Sequence, residues 1–187
     1  MKRRVLLSAT AALAAGCSLA PTQPAVAVFD FGPPPAAAAP GRVALRVLNV
    51  SAAPWLDSAD IGYRLDYRDP HRREVYRDSR WAAPPAALLG ARLQLRAAGG
   101  SSGSDTAATL AVHLDECSQV FSAPAQSRVV LRLRARLIPA GASDGSLERV
   151  FTVERDAASA DAAGAVRALS QAADEAVDRL LAWAAAP

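Results

Sequence analysis

The segment 128–137 has an apolar residue at every second position and an arginine at four of the five positions between them. A two-residue repeat matches a β-strand, whose side chains point alternately to opposite faces, and does not match a helix. One face of this strand therefore needs a covering layer, whereas the other tolerates charge. The pattern favours a sheet with one covered face.

Other segments repeat the pattern and supply partners for this strand. Tyr63, Leu65 and Tyr67 alternate with charged residues, and the Asp69-Pro70 step that follows predicts a tight turn. We therefore expect the chain to return antiparallel after this turn. The predicted strands are 42–47, 61–68, 72–77, 109–115, 128–137 and 147–155.

Two segments have the three- to four-residue spacing of amphipathic helices. The first is predicted over 84–97, where prolines suit the first turn, and the second over 160–185. Charged residues along the second segment argue against a membrane span. The predicted fold class is α+β, a mostly antiparallel sheet with two helices packed on one face.

The N-terminus has the layout of an export signal. Lys2, Arg3 and Arg4 precede an apolar run of about eleven residues, which is too short for a bilayer span of roughly 20 residues. Small residues lead directly into Cys17, a pattern that resembles the lipobox of bacterial lipoproteins. We predict a signal peptide over 1–16, with a diacylglycerol and an N-acyl chain on Cys17 as the only added groups.

Prolines are concentrated in the segment that follows the cysteine. Because proline fixes its own backbone angle and cannot donate a hydrogen bond, 17–41 is predicted to be a semi-extended tether. An apolar run within it can hold one short strand over 25–31. The remaining residues, 42–187, have the size of a single domain.

Net charge bears on the class of partner. The chain has 21 Lys and Arg residues, 18 Asp and Glu residues and a formal charge of +3. Lys2, Arg3 and Arg4 account for that excess and leave with the signal peptide. Since nucleic-acid binding depends on a clustered excess of positive charge, we predict no nucleic-acid partner.

The sequence contains no recognised catalytic or metal-binding motif, and we predict neither an active site nor a metal centre. Cys117 is the one thiol left once Cys17 carries lipid, and a small buried residue is its simplest role. A thiol–imidazole pair with His113 would require a bend after Leu114. His71 lies in the predicted turn and is expected to be solvated.

Two groups of residues suit a partner-binding surface. The arginines on one strand face either bind acidic protein or phosphate head groups, or are neutralised by neighbouring acids such as Glu148 and Glu154. The aromatic group before the first helix either contacts a partner or packs in the core. The candidate partner-binding residues are Tyr76, Arg80, Trp81, Arg132, Arg134 and Arg136.

Several of these features occur in the order seen in one family, and together they span roughly residues 25–184. The export signal with its lipobox, Phe29-Asp30-Phe31-Gly32, the Tyr63-Arg64 strand, Tyr76 to Trp81 with Ala82 and Leu88-Leu89, and the closing Ala/Leu-rich helix resemble the ABC-type transport auxiliary lipoprotein family. Ser79-Arg80-Trp81-Ala82 before a helix is the most specific marker.

The resemblance implies a non-enzymatic component of an MCE-type lipid transport system. Its partners would be an MCE-domain protein, an ABC permease and an ATPase, and some members form a homo-oligomeric ring. Ser18 stands where an aspartate would retain a lipoprotein in the inner membrane, which implies the periplasmic face of the outer membrane. The alternative is a structural or assembly lipoprotein of an outer-membrane or secretion complex, with no role in lipid transport.

Overall fold

The structure, a computed structural model, describes residues 25–35, 45–98, 107–141 and 145–186. The predicted signal peptide, Cys17, Ser18 and most of the predicted tether lie outside the described residues. The described part of the chain forms an eight-stranded sheet and two helices. The elements are β1 (Ala27–Phe29), β2 (Leu45–Val47), β3 (Ser51–Ala52), β4 (Asp60–Leu65), β5 (Arg73–Trp81), α1 (Pro85–Ala97), β6 (Ala108–Ala123), β7 (Gln126–Ile138), β8 (Leu147–Asp156) and α2 (Ala162–Ala185).

The strand order is β1-β5-β4-β6-β7-β8, and β2 and β3 pair with the first half of β6 on the edge that β4 uses further along. The pairs β4–β5, β6–β7 and β7–β8 are antiparallel. The predicted α+β class, the hairpin and both helices are confirmed. The parallel pairings of β1 with β5 and of β2, β3 and β4 with β6 were not predicted.

Two predicted strands were wrongly ended too early: β5 continues past Arg77 to Trp81, and the larger difference is in β6. β6 does not stop at Asp115 but continues to Ala123. Leu114 and Glu116 pair with adjacent residues of β7, so Asp115 between them has no partner and forms a β-bulge. The extra residue turns Cys117 toward the face that Leu114 occupies. In the sequence, the break that the bulge makes in the two-residue repeat resembles the end of a strand, which is why the predicted strand stopped there.

The core lies between the helices and one face of the sheet. Leu110, Val112 and Leu114 of β6 are almost fully buried, as are Leu89 and Leu93 of α1. The face of α2 toward the sheet consists largely of alanines, so small side chains let this helix approach closely. Its buried residues include Ala165, Leu169, Ala172, Ala173, Ala176, Val177 and Leu180.

The short strand predicted within the tether is part of the sheet. β1 pairs with the end of β5, and the Ala82 amide donates to the Phe29 carbonyl at 2.6 Å. Phe31 is buried, and its ring lies edge-on to Trp81 with 5.3 Å between centroids. Gly32 follows at a φ of 67°, a left-handed conformation that glycine adopts without strain.

Candidate docking surface

The sheet face opposite the helices, here called the open face, is rich in charge because every second side chain of its strands points there. It is therefore the natural place for contact with another molecule. Its residues include Arg64, Arg73, Asp115, Glu116, Arg128, Arg132, Arg134, Arg136, Glu148, Val150 and Glu154.

Two of the three predicted arginines on β7 are neutralised within the sheet. Arg134 donates to both carboxylate oxygens of Asp115 at 2.7 to 3.0 Å, and this hydrogen bonding raises the pKa of Arg134. Arg136 donates to Glu148 at 2.8 Å. Arg132 has no ion pair within the described residues. It is the exposed arginine of the group that remains open to an anionic partner.

The second half of β6 is covered on the open face by arginines of neighbouring strands. Glu116 accepts from Arg64 and Arg73, each at 3.3 Å. A Cβ atom added to Gly62 would lie 2.4 Å from Nη2 of Arg73, so the glycine allows Arg73 to cross β4. Ser118, the register partner of Gly62, is fully buried beside this crossing.

Ser51, His113 and Asp115 form a chain of polar groups near the bulge. The Ser51 hydroxyl lies 2.8 Å from Nδ1 of His113, and Nε2 of His113 lies 3.6 Å from Asp115. A catalytic serine needs an imidazole held by a carboxylate at hydrogen-bond distance. Here the Asp115 carboxylate is bound by Arg134, and the three polar side chains link β3 to β6. The adjoining surface depression has a volume of about 500 Å³.

Cys117 and His113 do not form a thiol–imidazole pair. Cys117 pairs with the buried Leu131 and faces the helices, whereas His113 pairs with the exposed Arg134 on the open face. Burial raises the pKa of the Cys117 thiol to about 12, so it stays protonated at neutral pH. Cys117 is a core residue.

The three candidate residues on β5, Tyr76, Arg80 and Trp81, differ in their exposure. Trp81 is 1% exposed and packs against Phe31, so the structure corrects its assignment to a partner-binding surface and supports the core alternative. The Tyr76 hydroxyl donates to Gln119 at 2.6 Å, and burial raises the pKa of Tyr76. Arg80 is exposed. β5 lies three strands from β7, or about 14 Å, so these residues do not join the β7 arginines in one site.

Two ion pairs between the helices, each with a buried arginine, were not predicted from the sequence. Arg92 is 5% exposed; its Nη1 donates to Asp174 at 2.9 Å, and its Nη2 donates to the Phe31 and Gly32 carbonyls at 2.7 Å. Burial raises the pKa of Asp174 despite the nearby arginine. One side chain thus links the end of the β1 segment to both helices.

A second ion pair, between Arg96 and Asp178, lies one helical turn further along. The two arginines of α1 are four residues apart, and so are the two aspartates of α2. This matching spacing is the feature of the sequence from which the two ion pairs could have been predicted.

Comparison with known proteins identifies the family. A family model described as the ABC-type transport auxiliary lipoprotein component matches residues 30–180. This chain belongs to that family. Members are lipoproteins that assist ABC-type transport, which indicates a membrane-anchored periplasmic location and no known enzyme class. In the described part of the chain, no helix is both long and apolar enough to cross a bilayer.

Solved structures support the fold of the family. A Xanthomonas campestris protein assigned to the family DUF330 superposes with a TM-score of 0.66 at 22% identity, covering 85% of this chain and 90% of that chain. A second, described as an uncharacterized protein, gives 0.66 at 14% identity, with coverages of 84% and 97%. No curated protein sequence matches the chain.

Proposed function

We propose that this auxiliary lipoprotein is a docking component of an MCE-type lipid transport system, anchored by Cys17 at the periplasmic face of the outer membrane. The family match over residues 30–180 carries the proposal. The lipobox-like sequence before Cys17, with Ser18 after it, supports the outer-membrane location. The partners would be an MCE-domain protein, an ABC permease and an ATPase, and the lipoprotein itself would act as a single copy or as a homo-oligomeric ring.

The open face is better suited to binding protein than to carrying an acyl chain. Carrying an acyl chain requires an enclosed apolar pocket. The depression on the open face is instead shallow and lined in part by Arg134, Arg136 and Glu148. Arg132, exposed and without an ion pair in the described residues, is the residue there that an acidic partner surface would engage.

Affinity purification of the tagged, full-length lipoprotein from cross-linked envelopes tests the proposal. We expect the MCE-domain protein to co-purify, and Arg132→Glu to reduce its recovery because the substitution reverses the charge on the open face. Arg68→Glu makes the same change in the turn between β4 and β5, at an exposed arginine without an ion pair in the described residues, and should leave recovery unchanged. Recovery of outer-membrane biogenesis proteins alone would instead favour the assembly alternative.

A further inference from the structure

The outer edge of β8 is an unusually regular sheet edge. β8 is the last strand in the order, and no strand in the described part of the chain pairs with its outer side. Its ten residues pair with β7 without a bulge. An edge strand of this length presents a row of unbonded N–H and C=O groups, which proteins commonly hide by shortening, bulging or covering the strand.

Hydrogen bonds at the end of β8 show which backbone groups face outward. The Ala157 amide donates to the Ser127 carbonyl at 2.9 Å. Because inward and outward bonding alternate along an antiparallel pair, odd-numbered residues bond to β7 and even-numbered residues point out. Arg179 agrees with this assignment, since its Nη1 reaches the outward Thr152 carbonyl at 3.2 Å. The backbone groups of Glu148 and Val150 remain available.

The side chains of the outward residues form a pattern that an added strand could match. Val150 is 58% exposed on the open face. Glu148 and Glu154 share that face and are also exposed, and their arginine partners Arg136 and Arg128 lie behind them on β7. The outermost row of the open face therefore carries two exposed glutamates, with Val150 and Thr152 between them.

The opposite edge of the sheet is short and irregular, in contrast to the edge of β8. β1 covers the end of β5, and β5 shifts register against β4 between Asp60 and Gly62. β1, the first described strand, and β8 therefore lie at opposite ends of the strand order.

We propose that the outer edge of β8 binds an extended segment of a partner polypeptide, which adds to the sheet as a further strand. Unbonded main-chain groups are recognised by another extended main chain. The added strand would place an apolar side chain opposite Val150 and a basic side chain opposite Glu148, because oppositely charged cross-strand pairs are favourable. This site goes beyond the docking role, since it specifies the binding mode whichever system the partner belongs to.

A defined peptide tests this site on the mature full-length lipoprotein. The probe is a capped peptide of about six residues, threonine throughout except for one valine and a lysine two positions away. Amide hydrogen exchange, read residue by residue by NMR, should show protection at Val150. Arg149 and Phe151 should not change, because their amides already bond to β7. A peptide with glutamate in place of lysine should bind about threefold more weakly.

Two controls separate strand addition from other contact. A probe N-methylated at its edge-facing amides cannot form the ladder and should not protect Val150. Val150→Pro removes an outward N–H but no bond within the sheet, so it should weaken binding by at least about tenfold. Val150→Thr retains the backbone donor and should bind within about twofold of the unchanged protein.

Equal binding of the methylated and unmethylated probes by the unchanged protein would overturn the proposal, even if Val150→Pro failed to fold. Protection that appears with increasing protein concentration, without peptide, would also overturn it by assigning the edge to a second copy.

Discussion

Arg92 holds three parts of the chain together through one guanidinium group. It joins α1 to Asp174 of α2 and to the two carbonyls that end the β1 segment. Without this side chain, a carboxylate and two carbonyls in the interior would lose their donors. Leaving one partner of a buried pair uncompensated costs more stability than the pair itself contributes.

Arg92→Met should therefore lower the free energy of unfolding by about 3–5 kcal/mol, measured by urea denaturation. Arg136→Met disrupts the exposed pair with Glu148 and is the matched control, with an expected cost under about 1 kcal/mol. Arg92→Met/Asp174→Leu should recover part of the loss because no unpaired charge stays buried. Equal costs for the two single variants would contradict the role assigned to Arg92.

At the scale of elements, the start of α2 depends on one side-chain cap. Asp161 accepts from the Gly164 amide and from the Ser159 hydroxyl, each at 2.7 Å. These hydrogen bonds hold the pKa of Asp161 below its ordinary value. A Cβ atom on Gly164 would lie 2.1 Å from the Ser159 carbonyl oxygen, so the turn before the helix has no room for a side chain there.

Asp161→Ala should lower the free energy of unfolding by about 1 kcal/mol at neutral pH, by removing the cap. Because folding lowers the pKa of this carboxyl, its contribution is present above the ordinary aspartate pKa and is lost as pH falls through the lowered value. The difference between unchanged protein and variant should therefore shrink in acid. Urea denaturation at about pH 7 and about pH 3 measures it.

Asp66→Ala, at an exposed aspartate with no ion pair in the described residues, is the control and should show no difference at either pH. A gap for Asp161→Ala that stayed constant or widened in acid would argue against the cap.

The sequence predicted those elements whose repeat is uninterrupted. β7 keeps one two-residue phase throughout, and α2 keeps one helical face, so both were found close to their observed bounds. The second half of β6 was missed because Asp115 inverts the phase. The parallel pairing of β4 with β6 was missed because partners joined through a long crossover leave no local signal.

The candidate site was predicted only in part. The shared face of Arg132, Arg134 and Arg136 follows from strand periodicity alone, and the structure confirms it. The burial of Trp81 depends on Phe31, which is distant in sequence and reaches it only through the β1–β5 pairing. Which arginines are neutralised likewise depends on register, which no single segment specifies.

At the scale of the whole molecule, the proposed lipid anchor and the folded domain depend on different residues. Sorting between membranes is predicted to depend on the residue after Cys17, whereas the first strand of the described fold is β1. Changing the first should therefore relocate the protein without unfolding it. The proposed outer-membrane location can then be tested independently of partner binding.

Ser18→Asp should shift the lipoprotein from the outer-membrane to the inner-membrane fraction on a sucrose gradient, with unchanged thermal unfolding. Cys17→Ala is the control, since loss of the acylated residue should remove the protein from both fractions. If Ser18→Asp left the distribution unchanged, the residue after the cysteine would not determine sorting, and the location would need another explanation.

The bulge at Asp115 makes β6 two half-strands of opposite parity within one continuous ladder. Because the bulge takes up that extra residue, Glu116 and Ser118 stay on the open face and Cys117 stays beneath the helices. If Asp115 were paired in a regular ladder instead, every later residue of β6 would turn to the opposite face, and Glu116 and Ser118 would be buried beneath the helices. Deleting Asp115 would therefore preserve both faces, whereas one further residue inserted without a bulge would exchange the inside and the outside of half a strand.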